Sequence, residues 1–389
     1  MQKKHRLWIG AIVAIVVLLV ACTPPQLTAP VPTPTSQTPA SSGITPTPTT
    51  VTAEDVAWAK IIQDAKKEGQ VFIYSFAFIG DAGVAISKAF KDKYGIKVDI
   101  VAGSAPIMLE RLRSEYRSSQ FVTDIADMNA SRALELKNDK LSLSTKDLPV
   151  LSDKASWYNH PLELDPDGYV LCYFNSTATP YINTTLVKPA EEPQSWFDLL
   201  QPRWKGKVMV GDPGIYLLTY YTYYGLVRKS NRLNEDYFRQ LGGQIGKFVP
   251  GSAREQVLAL VRGEGPLHFS TSETGGAPLI AEGAPIKALS MKEGAVFFPS
   301  QSLTMLSKAP HPNAARLFIN WFLSADGLKI FAESASQVTR RKDVPNYLPN
   351  AARVDQSNAI NLDFKDLDEI NKLYNAGYLT KLWKGETGK

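Results

Sequence analysis

The sequence predicts an α/β fold: a mostly parallel sheet with helices on both faces. Two observations carry that expectation. Short apolar runs alternate with amphipathic segments of helical length, the pattern that puts crossover helices over parallel strands. The chain is also 389 residues long, more than one core usually serves, so two domains follow by default. A hydrophobic content of 44% with mixed charges suits a globular body with a good-sized core. Lys3, Lys4 and Arg6 supply three of the +5 net charges. The rest of the chain is therefore close to neutral. No Lys/Arg run with interleaved aromatics occurs either, so nucleic acid is not an expected partner.

The elements follow in order. Met1–Arg6 is basic and Leu7–Ala21 is unbroken apolar sequence. It is too short for the ~20 residues a membrane-spanning helix needs, so residues 1–21 read as a cleaved signal. Its end, Leu19-Val20-Ala21-Cys22, resembles a bacterial lipobox. That resemblance makes Cys22 the lipidated residue and puts the protein on the outer face of the cytoplasmic membrane. An ordinary secretory signal with a chance cysteine is the alternative. Thr23–Thr52 holds eight prolines and no charge, the composition of an extended tether that cannot bury a core. Residues 22–53 are assigned to it.

The body opens with a helix that Thr52 and Asp55 cap reciprocally and Gly69 closes. Val71–Ser75, Ile96–Val101 and Asp124–Met128 are expected strands. Ala82–Tyr94, a segment from about Pro106 to Arg117 capped by Ser104, and a segment from about Ser131 are expected helices. Asp165-Pro-Asp-Gly168 is a turn signal, and Tyr169–Asn175 is read as the first strand to cross between domains. Cys172 lies in that apolar strand, where a lone thiol behaves as a small buried hydrophobe; no disulfide is expected. Ser195 is a good cap for Trp196–Leu200, Pro202 stops that helix, and Gly206 turns the chain into a strand at Lys207–Val210. A Tyr-rich helix (Tyr216, Tyr220, Tyr221, Tyr223, Tyr224) follows, then segments at Asn234–Leu241, Ala253–Gly263 and Leu267–Ser270. Val296–Ser302 and Thr304–Leu306 look like two return strands, Ala309–Ser324 like a helix, and Leu362–Trp383 like one last amphipathic helix.

The run from Asn183 to Pro213 contains Pro193-Gln-Ser-Trp-Phe-Asp-Leu-Leu-Gln-Pro-Arg-Trp-Lys-Gly-Lys207. It resembles a joint found in the solute-binding proteins of bacterial ABC importers, in the subfamily that includes ferric-iron binders. The Ala309–Ser324 run and Arg340-Arg-Lys-Asp-Val-Pro345 resemble the same family. The resemblance implies a two-lobed type II periplasmic-binding-protein architecture, each lobe a mixed sheet flanked by helices, with the ligand in the cleft between them. It places lobe 1 at 54–168 with a return segment at 296–332, lobe 2 at 169–295, and C-terminal helices at 333–389. It implies an ABC permease and its ATPase as partners, a small-molecule ligand, a monomer, and no cofactor or catalysis.

The ferric-iron binders hold their metal with a histidine, a carboxylate and two adjacent tyrosines. At the corresponding places this chain has Ser75-Phe76, Asn129-Ala-Ser131 and Ser270-Thr-Ser-Glu273. None of those hard ligands is matched, so no metal site is expected. Ser75, Ser104, Asn129, Ser131, Ser270, Thr271 and Ser272 are short polar groups near strand ends, where free backbone N–H groups suit an anion or polyol. Each alone could equally be a cap or turn former. Phe76, Arg132, Asp212, Tyr216 and Glu273 complete the candidate lining. His160 fits a loop, His311 a cap, and His268 either a cleft contact or a satisfied core residue. No Gly-x-Ser-x-Gly, His-Glu-x-x-His or Cys-x-x-Cys occurs, which leaves hydrolysis no visible apparatus. The expected function is capture of a small anionic solute for an ABC importer. Ferric iron or a ferric chelate is the alternative ligand, and a surface-tethered hydrolase the alternative of another class.

Overall fold

A computed structural model describes residues 52–158 and 160–384. The signal, Cys22 and nearly all of the tether lie outside the described residues. Among the described residues eleven strands form the sheets: β1 (Gln70–Ser75), β2 (Lys97–Ala102), β3 (Ile125–Asn129), β4 (Ser142–Leu143), β5 (Leu171–Asn183), β6 (Val208–Gly211), β7 (Ile245–Val249), β8 (Leu267–Thr271), β9 (Ile286–Ala288), β10 (Val296–Leu306) and β11 (Ile360–Asn361). The central order is β2-β1-β3-β10-β5-β8-β6-β7.

Two lobes arise because two long strands serve both. β5 pairs antiparallel with β10 through Leu171–Ala178, then turns its other half to β8 and β9 through Thr179–Asn183. β10 lies between β5 and β3: it pairs antiparallel with β3 through Gln301–Met305 while Gln301–Leu303 still pair with β5. On either side the pairs β1/β2, β1/β3, β6/β7 and β6/β8 are parallel, as the alternating pattern requires. Each of β1, β3, β6 and β8 is followed by a helix, starting at Gly80, Ala130, Leu218 and Glu273 respectively. Those helix starts are where a crevice is expected.

The first lobe packs Ile73, Phe90, Phe318, Phe322 and Phe331 in one apolar cluster. The second gathers Trp196, Tyr220, Tyr223, Phe238 and Phe269 in another. Trp196 is fully buried; its indole donates to the Gly294 carbonyl at 2.9 Å, and Tyr237 donates to the Trp196 carbonyl at 2.8 Å. The Ser195 cap forms as expected, its hydroxyl accepting from the Phe197 N–H. Gly206 adopts φ +71°, a conformation other residues resist.

Four local expectations need correction. β10 is one strand, not two. Its pairing with β5 shifts register on both sides of Gln301, and a bulge next to Pro299 imitates a strand end in sequence. The first crossing strand begins at Leu171 and runs to Asn183, because its second half is needed to reach the other lobe. The tail is two helices, Phe364–Asn375 and Tyr378–Trp383, separated by Gly377 at φ +61°. The helix Ala105–Arg117 starts after Ser104, but the Ser104 side chain makes no capping bond. The Tyr-rich segment also changes pitch, from α over Leu218–Tyr223 to π over Tyr224–Lys229. Gly225 lies in the wider turn, where an added Cβ would come within 2.6 Å of Val296.

Candidate functional site

A cavity of about 910 Å³ opens between the lobes. The first lobe contributes Phe76, Ile79 and Ser104, and the second contributes Ser252, Arg254 and Thr274. Phe174 and Gln301 of the two crossing strands also line it, as do Phe331 and Gln337. Four helices begin at this cavity: Gly80–Tyr94, Ala105–Arg117, Ala253–Val261 and Glu273–Ala281. Only the third has a side-chain cap, the Ser252 hydroxyl accepting from the Glu255 N–H. The caps of the other three, Ile79, Ser104 and Ser272, make no such bond. Their first turns lack a capping side chain, although Pro106 carries no N–H and the Gly275 N–H donates to the Ser272 carbonyl at 3.1 Å.

The rim of the first lobe is held from beneath. Asp127 is fully buried and accepts from the Ser75 hydroxyl, from the Ala77 N–H at 3.0 Å and from the Tyr173 hydroxyl at 2.8 Å. Ser75 in turn accepts from the Phe78 N–H at 2.7 Å. Burial pushes the Asp127 carboxyl up to about 6 despite these donors. The loop that presents Phe76 and Ile79 is therefore held by Asp127 in the middle of β3, through its carboxyl group and through its carbonyl, which accepts from the Phe76 N–H at 2.9 Å.

Glu273 plays a similar part in the second lobe. It is the first residue of its helix, yet it turns to β5. It accepts from the Ser176 hydroxyl at 2.6 Å and the Thr177 N–H at 2.9 Å, and also from the Thr177 hydroxyl. Burial raises its carboxyl above the usual range.

Of the twelve residues expected at the site, Phe76 and Ser104 line the cavity. Ser75 and Glu273 are committed to the bonds just described. Ser270 shares a 2.6 Å bond with Thr222, and Ser272 one of 2.6 Å with Thr274. Arg132 pairs with Glu135 on its own helix. The Asp212 carboxylate accepts from the Gly214 N–H at 2.8 Å, and Asp212 lines a separate pocket beside Trp383. Ser131 and Tyr216 are half-buried. Tyr216 lies close to Thr271, Glu273 and Tyr221, and burial raises its phenol. Two expected residues keep buried, unpartnered oxygens: Asn129 Oδ1 and Thr271 Oγ1.

Sequence reasoning passed over Arg254, Thr274, Gln301 and Gln337. Arg254 and Thr274 sit in first helical turns, and Ser252-x-x-Glu255 was a readable capping box marking one of them. Gln301 and Gln337 each bury an unpartnered amide oxygen, a costly state that a ligand or water relieves. Gln301 lies among Ser300, Ser302 and Thr304 in Val296–Leu306, so nothing in that run singled it out. His268 is fully buried on β8, with both ring nitrogens unpartnered and its pKa pushed down to about 3 by burial. It does not line the cavity, and it is not the satisfied core residue expected. His311 heads the helix Pro312–Phe322, but its ring bonds Asp124 at 3.0 Å instead of capping that helix. Among the described residues no group of three or more His, Cys, Asp or Glu side chains is placed to hold a metal ion. No helix among them is long and apolar enough to cross a membrane.

Comparison with known proteins agrees with this architecture. Residues 85–360 match the family described as bacterial extracellular solute-binding protein. Iron uptake protein A1 of a Synechocystis strain is 24% identical over 271 residues, covering 63% of this chain and 69% of that protein. Among solved structures, the Trichodesmium protein IdiA (FutA), in complex with iron and citrate, superposes with a TM-score of 0.63 at 19% identity. The match covers 82% of this chain and all of that one. The periplasmic binding protein AfuA of Actinobacillus pleuropneumoniae, with fructose-6-phosphate bound, gives 0.60 at 18% identity over 79% of this chain and 98% of that one. A protein from Bordetella parapertussis described as an extracellular solute-binding protein gives 0.65 at 17% identity, over 83% of this chain and all of that one. The chain thus belongs to the bacterial extracellular solute-binding proteins, the solute-capturing components of ABC importers.

Proposed function

We propose that this protein captures a small anionic molecule, such as an organic acid, phosphonate or phosphate ester, and delivers it to an ABC permease with its ATPase. The observation that carries the reading is the convergence of four helix N-termini from both lobes on one cavity, three of them without a side-chain cap. Each N-terminus favours an anion by roughly 0.3–1 kcal/mol when exposed and up to about 2 kcal/mol when partly buried. The three uncapped termini together would favour an anion over a neutral isostere by roughly 1–3 kcal/mol in the same estimate. Arg254 adds little while Glu282 stands 3.8 Å from it, and it adds more once the lobes exclude water. Phe76, Phe174 and Phe331 supply apolar faces for the carbon skeleton.

Capture follows from the differential contact of the two states. The open form exposes donors of one lobe at a time. The closed form brings both sets to the ligand, and binding shifts the population towards it. The reading includes a lipid on Cys22, the Pro/Thr-rich tether holding the body off the membrane, a monomeric working state and no turnover of the ligand.

A ferric chelate is the second reading, supported by the relatives whose names mention iron and citrate. A chelate would present carboxylates to the same N–H donors, whereas bare Fe³⁺ needs anionic side chains gathered around it. A thermal-shift screen against organic acids, phosphate esters, neutral sugars, amines, ferric citrate and ferric ion separates these outcomes. A ligand at 100 times its Kd should stabilise by about 2.7 kcal/mol. A response to neutral sugars alone would sink the anion reading, and a response to ferric ion alone would sink both.

A further inference from the structure

We infer that the protein carries a second anion site, at the crossing strands and apart from the interlobe cavity. Arg340 is 3% exposed, and its Nε and Nη1 are buried with no hydrogen-bond partner among the described residues. A guanidinium cannot shed its proton, so burial leaves it a bare cation. Such a group is costly unless an anion meets it.

Arg340 is fixed in place by its backbone. Its N–H donates to the Tyr173 carbonyl of β5 at 3.1 Å, and its carbonyl accepts from the Tyr158 N–H at 2.9 Å. Arg340 lines a cavity of about 600 Å³ together with Asn175 of β5 and Phe297 of β10. Arg341 and Lys342 also line it, and no carboxylate does. The two neighbouring cations are already engaged. Arg341 pairs with Asp343 at 2.7 Å and Asp153 at 3.1 Å, and the Lys342 ammonium donates to the Ala155 carbonyl at 3.1 Å. Of the three cations only Arg340 keeps buried donors unspent, at Nε and Nη1, and Asn175 and Gln356 stand in the same lining with amides to complete a donor set.

The ligand class is a small oxyanion, phosphate- or carboxylate-bearing, because charge-assisted N–H donors are matched by anionic oxygens. No residue that lines this cavity also lines the interlobe cavity. The anion would therefore sit on the strands through which the lobes are joined, independent of the transported solute.

The test uses the full chain and inorganic phosphate, titrated at constant ionic strength against chloride, with thermal unfolding as the readout. The wild type and Arg254→Gln should both show a saturable rise in Tm. Arg340→Gln should lose it, while starting from an equal or higher Tm in chloride, since the bare charge is gone. A phosphate response that persists in Arg340→Gln but disappears in Arg254→Gln would place the anion in the cleft and overturn the inference while leaving the proposed function standing. Should Arg340→Gln not fold, a selenate soak of wild-type crystals decides the matter. An anomalous peak within hydrogen-bonding reach of the Arg340 guanidinium supports the site, and water alone on that side chain refutes it.

Discussion

Asp127 offers the sharpest test of how the cleft rim is built. Its carboxyl is displaced from 3.8 to about 6 by burial, so the folded state holds the proton more tightly than the unfolded chain does. Stability should then rise as pH falls from 7 through 6 and level off below 3.8, opposite to the usual salt-bridged carboxylate. The displacement is about two pKa units, and at about 1.4 kcal/mol per unit the ionised group costs about 3 kcal/mol at neutral pH. Asp127→Asn removes the ionisation and keeps the shape. One amide oxygen can accept from both Ser75 and the Ala77 N–H, and the NH₂ can donate to the Tyr173 hydroxyl. The variant should gain about 2–3 kcal/mol at pH 7 and almost nothing at pH 4. Urea unfolding of both proteins from pH 4 to pH 8 measures this, because the difference between the curves isolates the one group. A variant less stable than wild type at pH 7, or a difference that does not change with pH, would refute the reasoning.

Three further outcomes follow from the same structure. Glu273→Ala strips the partners from the Ser176 and Thr177 hydroxyls and the Thr177 N–H, and should cost several kcal/mol, whereas Glu273→Gln should cost under about 1 kcal/mol; denaturant midpoints distinguish them. Arg254→Gln should weaken an anionic ligand several-fold by calorimetry and leave the unfolding midpoint of the empty protein within about 0.5 kcal/mol; an unchanged affinity would remove Arg254 from the site. Gly225→Ala should destabilise by roughly 1–3 kcal/mol, because the added methyl meets Val296 across a close helix–strand contact. A neutral effect in thermal unfolding would show that the π-turn can relax.

Much of the architecture could be read from local chemistry. Thr52 with Asp55, Ser195 with Asp198, Gly95 and Gly206 stop or start elements through contacts within a few residues, and such contacts are written in the sequence. The errors fell where distant partners decide. β10 looked like two strands because its bulge beside Pro299 is tolerated only through pairing with β5, more than a hundred residues earlier. The site was harder for the same reason. Ser75 and Ser104 are equally plausible donors on paper, yet the Ser75 hydroxyl is spent on Asp127, 52 residues away, while Ser104 faces the cavity without a capping bond. Ser270 is likewise consumed by Thr222. Which hydroxyls remain free is a property of the packed chain. Gln301 and Gln337 gain their meaning only from the cavity the fold creates around them.

The most direct measurement is small-angle X-ray scattering of the protein with and without a saturating ligand from the thermal-shift screen, each at several concentrations. Closure of two lobes over a guest requires a smaller radius of gyration with ligand and a profile that a hinge rotation reproduces. Superimposable profiles at proven saturation would mean that binding does not close the lobes, and the capture mechanism described above would have to be abandoned.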